Sequence, residues 1–203
     1  MAFKLVPPPV PIANRSIRTK PLWNVDYPAV YGMQNTRVQQ KINQSIYSLL
    51  FQLVKLLQHG NAAAPISTAY DIKNNQRDIL SLLMIGSNDS VGANTEYKQK
   101  SATFDIKTGK DYGLKDLFKP GSDYVKILSD MVGDQIKERG IELIGEYKGI
   151  RPDQDYYVAD LCLVIYFQQY EIAPRPYGFP SFPIPLYSIA DIIREDSILT
   201  RLF

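Results

Sequence analysis

The sequence predicts an α+β fold made of two similar halves, each a long helix packed on a mainly antiparallel sheet. Two stretches, about 36–58 and 123–139, place apolar residues at helical spacing. Each is followed by short runs of strand character joined by hairpin-length links, an order that favours an antiparallel sheet with the helix on one face. The 203 residues are 45% hydrophobic and 22% charged, which suits a packed core and excludes a disordered or collagen-like chain.

The reading by element begins with a proline-rich arm. Residues 1–28 hold six of the fourteen prolines and little periodicity. They read as an extended arm over 1–24, with a short strand near Ile17–Val25, able to wrap the sheet or meet a second subunit. The first helix runs from about Thr36 to Gln58. Thr36 and Gln39 have capping-box spacing. Val38, Ile42, Ile46, Leu49, Leu50, Leu53, Val54 and Leu57 form its apolar stripe, and Gly60 stops it with His59 near its negative end. Burial of such side chains contributes about 1.5–3 kcal/mol each, so this helix is expected to be the main strut. Strands are expected over 65–73 and 78–86, linked by the polar loop Asn74-Asn75-Gln76-Arg77, and over 98–106, closed by the turn 107–110.

The second half starts near residue 113. One helical turn at 114–118 ends at Pro120-Gly121. Ser122 is positioned to cap a second helix over about 123–139, with the stripe Val125, Leu128, Val132 and Ile136. A hairpin follows, 155–158 with 161–168, turning at Ala159-Asp160. An edge strand is expected near 182–184 and a last helix over 186–194. The halves are thus 25–112 and 113–203, with no flexible linker between them.

Charge and composition narrow the function. The net charge of +2 divides unevenly: residues 1–60 carry seven Lys or Arg against one acid, Asp26. The basic residues are spread out and not interleaved with aromatics, so a nucleic-acid groove is not expected. No apolar run reaches the roughly 18 residues of a membrane span. The N-terminal apolar run is broken by prolines, so it does not read as a secretory signal, and a cytoplasmic location is expected. With one cysteine, Cys162, no disulfide forms within the chain, and no Cys-rich zinc site is available.

Catalytic motifs are missing. There is no Walker loop, GxSxG or SxxK pattern, and His59 is the only histidine, without a nucleophile tied to it. Asp153-Gln154-Asp155 has the spacing of some cation sites, but a turn whose Asp side chains satisfy backbone donors explains it better. A carboxylate-dependent glycan hydrolase is the least favoured reading, and no catalytic residue, metal or cofactor is expected. The unusual segment is 166–180. Seven of fourteen tyrosines lie between Tyr147 and Tyr187. Tyrosine offers contact area and a hydroxyl at low entropic cost, and proline pre-orders the loop around it. Either the segment is a recognition surface or its aromatics plug the core.

Several of these residues carry a resemblance. Lys107-Thr108-Gly109-Lys110, Leu114 to Ser122, Gly149 to Tyr157, and Tyr166 to Pro174, in that order, resemble the paired domains of unknown function found in the extracytoplasmic region of the anti-sigma-V factor RsiV and before the catalytic domain of the peptidoglycan deacetylase PdaC. Tyr27-Pro28 and 35–43 resemble the start of the first domain, so 25–112 is PdaC-like and 113–203 RsiV-like. The chain departs from the family's Gly-Gly-Ala-His loop, having Val91-Gly92-Ala93-Asn94. The resemblance implies a two-part α+β module, which in the anti-sigma factor senses lysozyme, and it implies no enzyme. The expected function is therefore recognition of a protein or a cell-wall glycan through Tyr170, Glu171, Pro174, Arg175 and Tyr177, and also through Gly92 and Asn94 of the 91–95 loop. The alternative is a structural protein of a spore or envelope layer, self-associating through the N-terminal arm.

Overall fold

The longest apolar stripe in the chain organises its first unit. A computed structural model describes residues 9–19, 23–58, 65–88 and 95–203. It divides the chain into two units, Met1–Asp111 and Tyr112–Phe203. In the first, β1 (Ile12–Thr19) and β2 (Trp23–Val30) precede α1 (Thr36–Leu57), and β3 (Ile66–Gln76), β4 (Ile79–Asn88) and β5 (Glu96–Asp105) follow it. The five strands lie in chain order. All neighbours are antiparallel except β2 and β3, whose parallel pairing over Trp23–Val25 and Ile66–Thr68 is bridged by α1. All eight residues of the expected stripe are buried, packed with Val25, Ile66, Leu80, Leu82 and Phe104 of the sheet.

Three local readings are corrected here. Residues 12–19, expected within an extended arm, are a paired strand, and the strand expected at 17–25 straddles the link between β1 and β2. Ile12 and Ile17 pack against the core. Asn14, Ser16 and Arg18 all donate to Asp26 Oδ1, at 3.2, 2.5 and 2.7 Å, which ties β1 to β2. The helix cap is Asn35, not Thr36: its Oδ1 accepts from Val38 N at 3.1 Å, while Gln39 Oε1 accepts from Met33 N. The polar loop at 74–77 shrinks to the turn Arg77–Asp78, both with left-handed φ (52° and 60°), as a two-residue hairpin turn requires. Asn74 is drawn into the sheet because its amide donates to Ile79 O at 2.7 Å.

The second unit packs α2 (Tyr124–Glu138) with the antiparallel sheet β6 (Tyr156–Ala159), β7 (Cys162–Tyr166) and β8 (Ser181–Pro185). Gln135 and Arg139 of α2 donate to Pro183 O and Ser181 O of β8, at 3.0 and 2.8 Å. The buried stripe of α2 is Tyr124, Leu128, Val132 and Ile136. Tyr124 takes the place expected for Val125 because its ring stacks on Phe118 at 4.8 Å. Ser122 does not cap the helix: its hydroxyl donates to Lys119 O at 2.7 Å, and Asp123 is the cap residue. The hairpin turns at Asp160–Leu161, with Asp160 at φ 49°. The expected last helix is a 3-10 helix over Leu186–Ile192. Its buried Leu186 and Ile189 are three residues apart, which suits three residues per turn.

One close approach fixes how α1 meets the sheet. A Cβ on Gly86 of β4 would lie 2.5 Å from Leu57 Cδ1 and 3.4 Å from Leu53 Cδ2. Gly86→Ala is therefore expected to cost about 1–3 kcal/mol of stability in urea unfolding, because the fully buried Leu57 must shift.

Candidate functional site

The segment after β7 divides by burial. Tyr166 and Phe167 are inside, at 1% and 2% exposure, and Phe167 meets Phe182 edge-on at 5.8 Å. Beyond them the chain leaves the core. Glu171 N donates to Gln168 O at 3.1 Å, closing a turn with Tyr170 at its third position. Tyr170 has φ 63° and is 58% exposed. That backbone shape is normally given to Gly or Asn.

Glu171 holds the turn. One carboxylate oxygen accepts from Gln168 N at 2.7 Å, and the other pairs with the Arg151 guanidinium. Arg151 also lies 3.7 Å from Asp153. The loop is laced to the 141–150 segment as well: Ile144 N donates to Ile172 O at 3.0 Å, and Glu142 N donates to the Tyr177 hydroxyl at 3.1 Å. Arg175–Tyr177 form one 3-10 turn opened by Pro174, with Pro176 inside it. Pro174 is half-buried, while Arg175 and Tyr177 are exposed. The structure thus brings Tyr170, Glu171, Pro174, Arg175 and Tyr177 onto one tied loop. Gly92, Asn94 and His59 lie outside the described residues.

The Asp153-Gln154-Asp155 stretch is built as a turn, with Gln154 N donating to Arg151 O at 3.1 Å. Asp155 accepts from Gln168 Nε2 at 3.3 Å. Gln154 is buried, accepts from Arg151 N and donates to Tyr166 O at 2.9 Å, so it sets where β7 ends and the loop begins. Among the described residues no cluster of three or more His, Cys, Asp or Glu is arranged for a metal ion. Cys162 opens β7, half-buried.

Sequence reasoning missed Arg151 and Tyr147. Arg151 stands twenty residues before Glu171, and nothing in the sequence links them. Tyr147 lines a cleft of about 660 Å³ with Ser129, Asp130, Gly133 and Lys148. Its ring lies against Gly133 of α2, where a Cβ would be 3.5 Å away. Its hydroxyl is buried and finds no hydrogen-bond partner among the described residues. Neighbouring Ser129 donates to Val125 O at 2.6 Å and accepts from Ile150 N at 2.9 Å.

Burial pushes the Tyr147 phenol from 10.0 up to about 12. The fold therefore favours the protonated phenol; that contribution is complete below pH 10 and is lost as pH rises from 10 to about 12. Tyr147→Phe is expected to keep or raise stability at neutral pH, by up to about 1–3 kcal/mol, because it removes an unsatisfied hydroxyl. It should also flatten the fall in stability between pH 10 and 12, measured by urea unfolding across that range.

Residues 115–187 match the family model for a protein of unknown function, DUF3298. The chain is 28% identical over 189 residues to the anti-sigma-V factor RsiV of Bacillus subtilis (strain 168). That match covers 84% of this chain and spans 65% of the length of RsiV. A DUF3298 family member from Bacteroides fragilis NCTC 9343 superposes with a TM-score of 0.71 at 10% identity, covering 95% of this chain and 97% of the other. A second, from Pseudomonas aeruginosa PAO1, gives 0.69 at 12% identity, covering 97% of each. The chain therefore has the α+β fold of DUF3298 proteins, resembles RsiV over most of its own length, and carries the match to the DUF3298 family in its second unit.

Proposed function

We propose that the chain is a non-catalytic recognition module that binds a protein or a cell-wall glycan through the rim running from Tyr170 to Tyr177. Tyr170 carries this reading. A bulky side chain at left-handed φ costs roughly 1–2 kcal/mol, which glycine would avoid. Such strain persists where surroundings over-determine it, and it clusters at ligand contacts. Here the strain holds a large amphipathic ring out in water, at 58% exposure.

The remaining parts suit the same task. Glu171, Arg151 and the Tyr177 hydroxyl fix the loop before anything binds, which lowers the ordering cost of association. Tyr177, 36% exposed, and the exposed cation Arg175 follow Tyr170 on the same loop. Tyrosine and arginine are the side chains that most often dominate binding energy. The likeness to an anti-sigma factor, a protein named for acting on another protein, supports a partner-binding role. Recognition of this kind needs no metal or cofactor.

Tyr170→Gly separates architecture from binding. It is expected to keep or raise folding stability, by up to about 1–2 kcal/mol, because glycine accepts φ 63° freely. The same change should abolish retention on the ligand, measured by cosedimentation with insoluble peptidoglycan and by capture on immobilised lysozyme. Retention of the folded variant at the wild-type level, or retention of neither protein on either probe, contradicts the proposal.

A further inference from the structure

A second surface, on the first unit, has its own chemistry. Trp23, Phe51, Tyr47 and Tyr27 form one continuous aromatic strip, with successive ring centroids 6.5, 4.7 and 6.0 Å apart. Tyr47 and Phe51 stand one turn apart on α1, off its buried stripe, and are 44% and 42% exposed. Trp23 and Tyr27 stand four apart on β2 and so share the face that meets α1.

The strip is bordered by a strand that has no second strand partner among the described residues. β1 is the edge of its sheet, and five of its eight residues are exposed. Arg15 of β1 is paired with Tyr27 and Thr19 with Trp23. Residues opposite each other in an antiparallel ladder project to the same side, so Arg15 stands beside the strip. An edge strand offers a row of backbone donors and acceptors to another chain.

Charge selects the occupant. Between residues 12 and 58 the sequence has one acid, Asp26. That acid is on the other face of β2 and is already held by Ser16, Arg18 and Asn14, whose hydrogen bonds lower its pKa. Arg15 is exposed and makes no ion pair among the described residues, and Lys55, one turn beyond Phe51, is exposed too. A second copy of the chain fits poorly here, because antiparallel edge-to-edge pairing of two β1 strands centred on Arg15 would set the two Arg15 side chains against each other on one face.

We propose that this face docks an extended acidic segment of a partner protein, which adds a strand to β1 and lays alternate apolar side chains on the strip. Main-chain hydrogen bonds along the edge supply register, the strip supplies pockets for alternate residues, and Arg15 and Lys55 select negative charge. This inference stands apart from the rim around Tyr170 and does not depend on it.

Trp23 is the one tryptophan of the chain, so its fluorescence reports directly on this face. The full chain would be titrated with a ten-residue peptide alternating glutamate with valine or leucine, with its lysine counterpart, and with heparin as an anionic glycan. The acidic peptide is expected to shift Trp23 emission saturably, and the lysine peptide is not. Arg15→Glu, and the pair Tyr47→Ala with Phe51→Ala, should each weaken that binding by about tenfold or more. Circular dichroism would verify folding, and Arg15→Glu decides if the double variant unfolds. The inference is overturned by no shift with the acidic peptide, by equal binding of the lysine peptide, by unchanged affinity in folded Arg15→Glu, by a response to heparin alone, or by sedimentation showing a dimer that Arg15→Glu dissociates.

Discussion

Burial of a single apolar stripe per unit governs what the rest of the chain is free to do. In the first unit, eight side chains of α1 must leave water, and the sheet receives them only if Gly86 lets Leu57 touch the strand backbone. In the second, Leu128, Val132 and Ile136 of α2 do the same, and Phe167 and Phe182 pack edge to face in the same unit. Both cores close without Tyr47, Phe51, Tyr170 or Tyr177. Those large rings stay at the surface, where each costs the fold the opportunity of burial.

This makes the exposed aromatics informative in different ways. Tyr47 and Phe51 are held on a rigid helix and meet two rings of a neighbouring strand, so they form a fixed platform. Tyr170 is held by a loop, and its rigidity comes from outside the turn. Glu171 answers both a backbone donor and a guanidinium, and the loop is bonded twice to the 141–150 segment. Removal of that bracing would let the turn relax from its left-handed residue. The aromatic ring and the polar clamp therefore act as one device.

Periodicity exposed the helices clearly. All eight α1 positions assigned to the core from spacing alone are buried, because one face of a 22-residue helix is long enough to outvote local exceptions. The strands after α1 were legible for the same reason. What escaped was chemistry that depends on choice among near-equals. Asn35 and Thr36 both suit a helix start, and the backbone settled on the asparagine. The prolines of the first segment masked β1, which pairs with β2 along its whole length and is tied to it further by three hydrogen bonds to Asp26. At the candidate site, the density of tyrosine and proline pointed to the loop itself. The Arg151–Glu171 pair is a contact between distant positions and left no local mark. Tyr47 and Phe51 did leave one: two aromatics four residues apart on the outer side of a helix.

The central claim is that the braced loop bearing Tyr170 is the contact surface for a partner. Amide hydrogen exchange, followed residue by residue with and without saturating lysozyme or solubilised peptidoglycan, tests it directly. The account predicts that exchange slows on binding across 168–179 and the adjoining 142–145 backbone, while β6 and β7, already protected, do not change. Binding that leaves 168–179 exchanging at the free rate and protects another surface would contradict it.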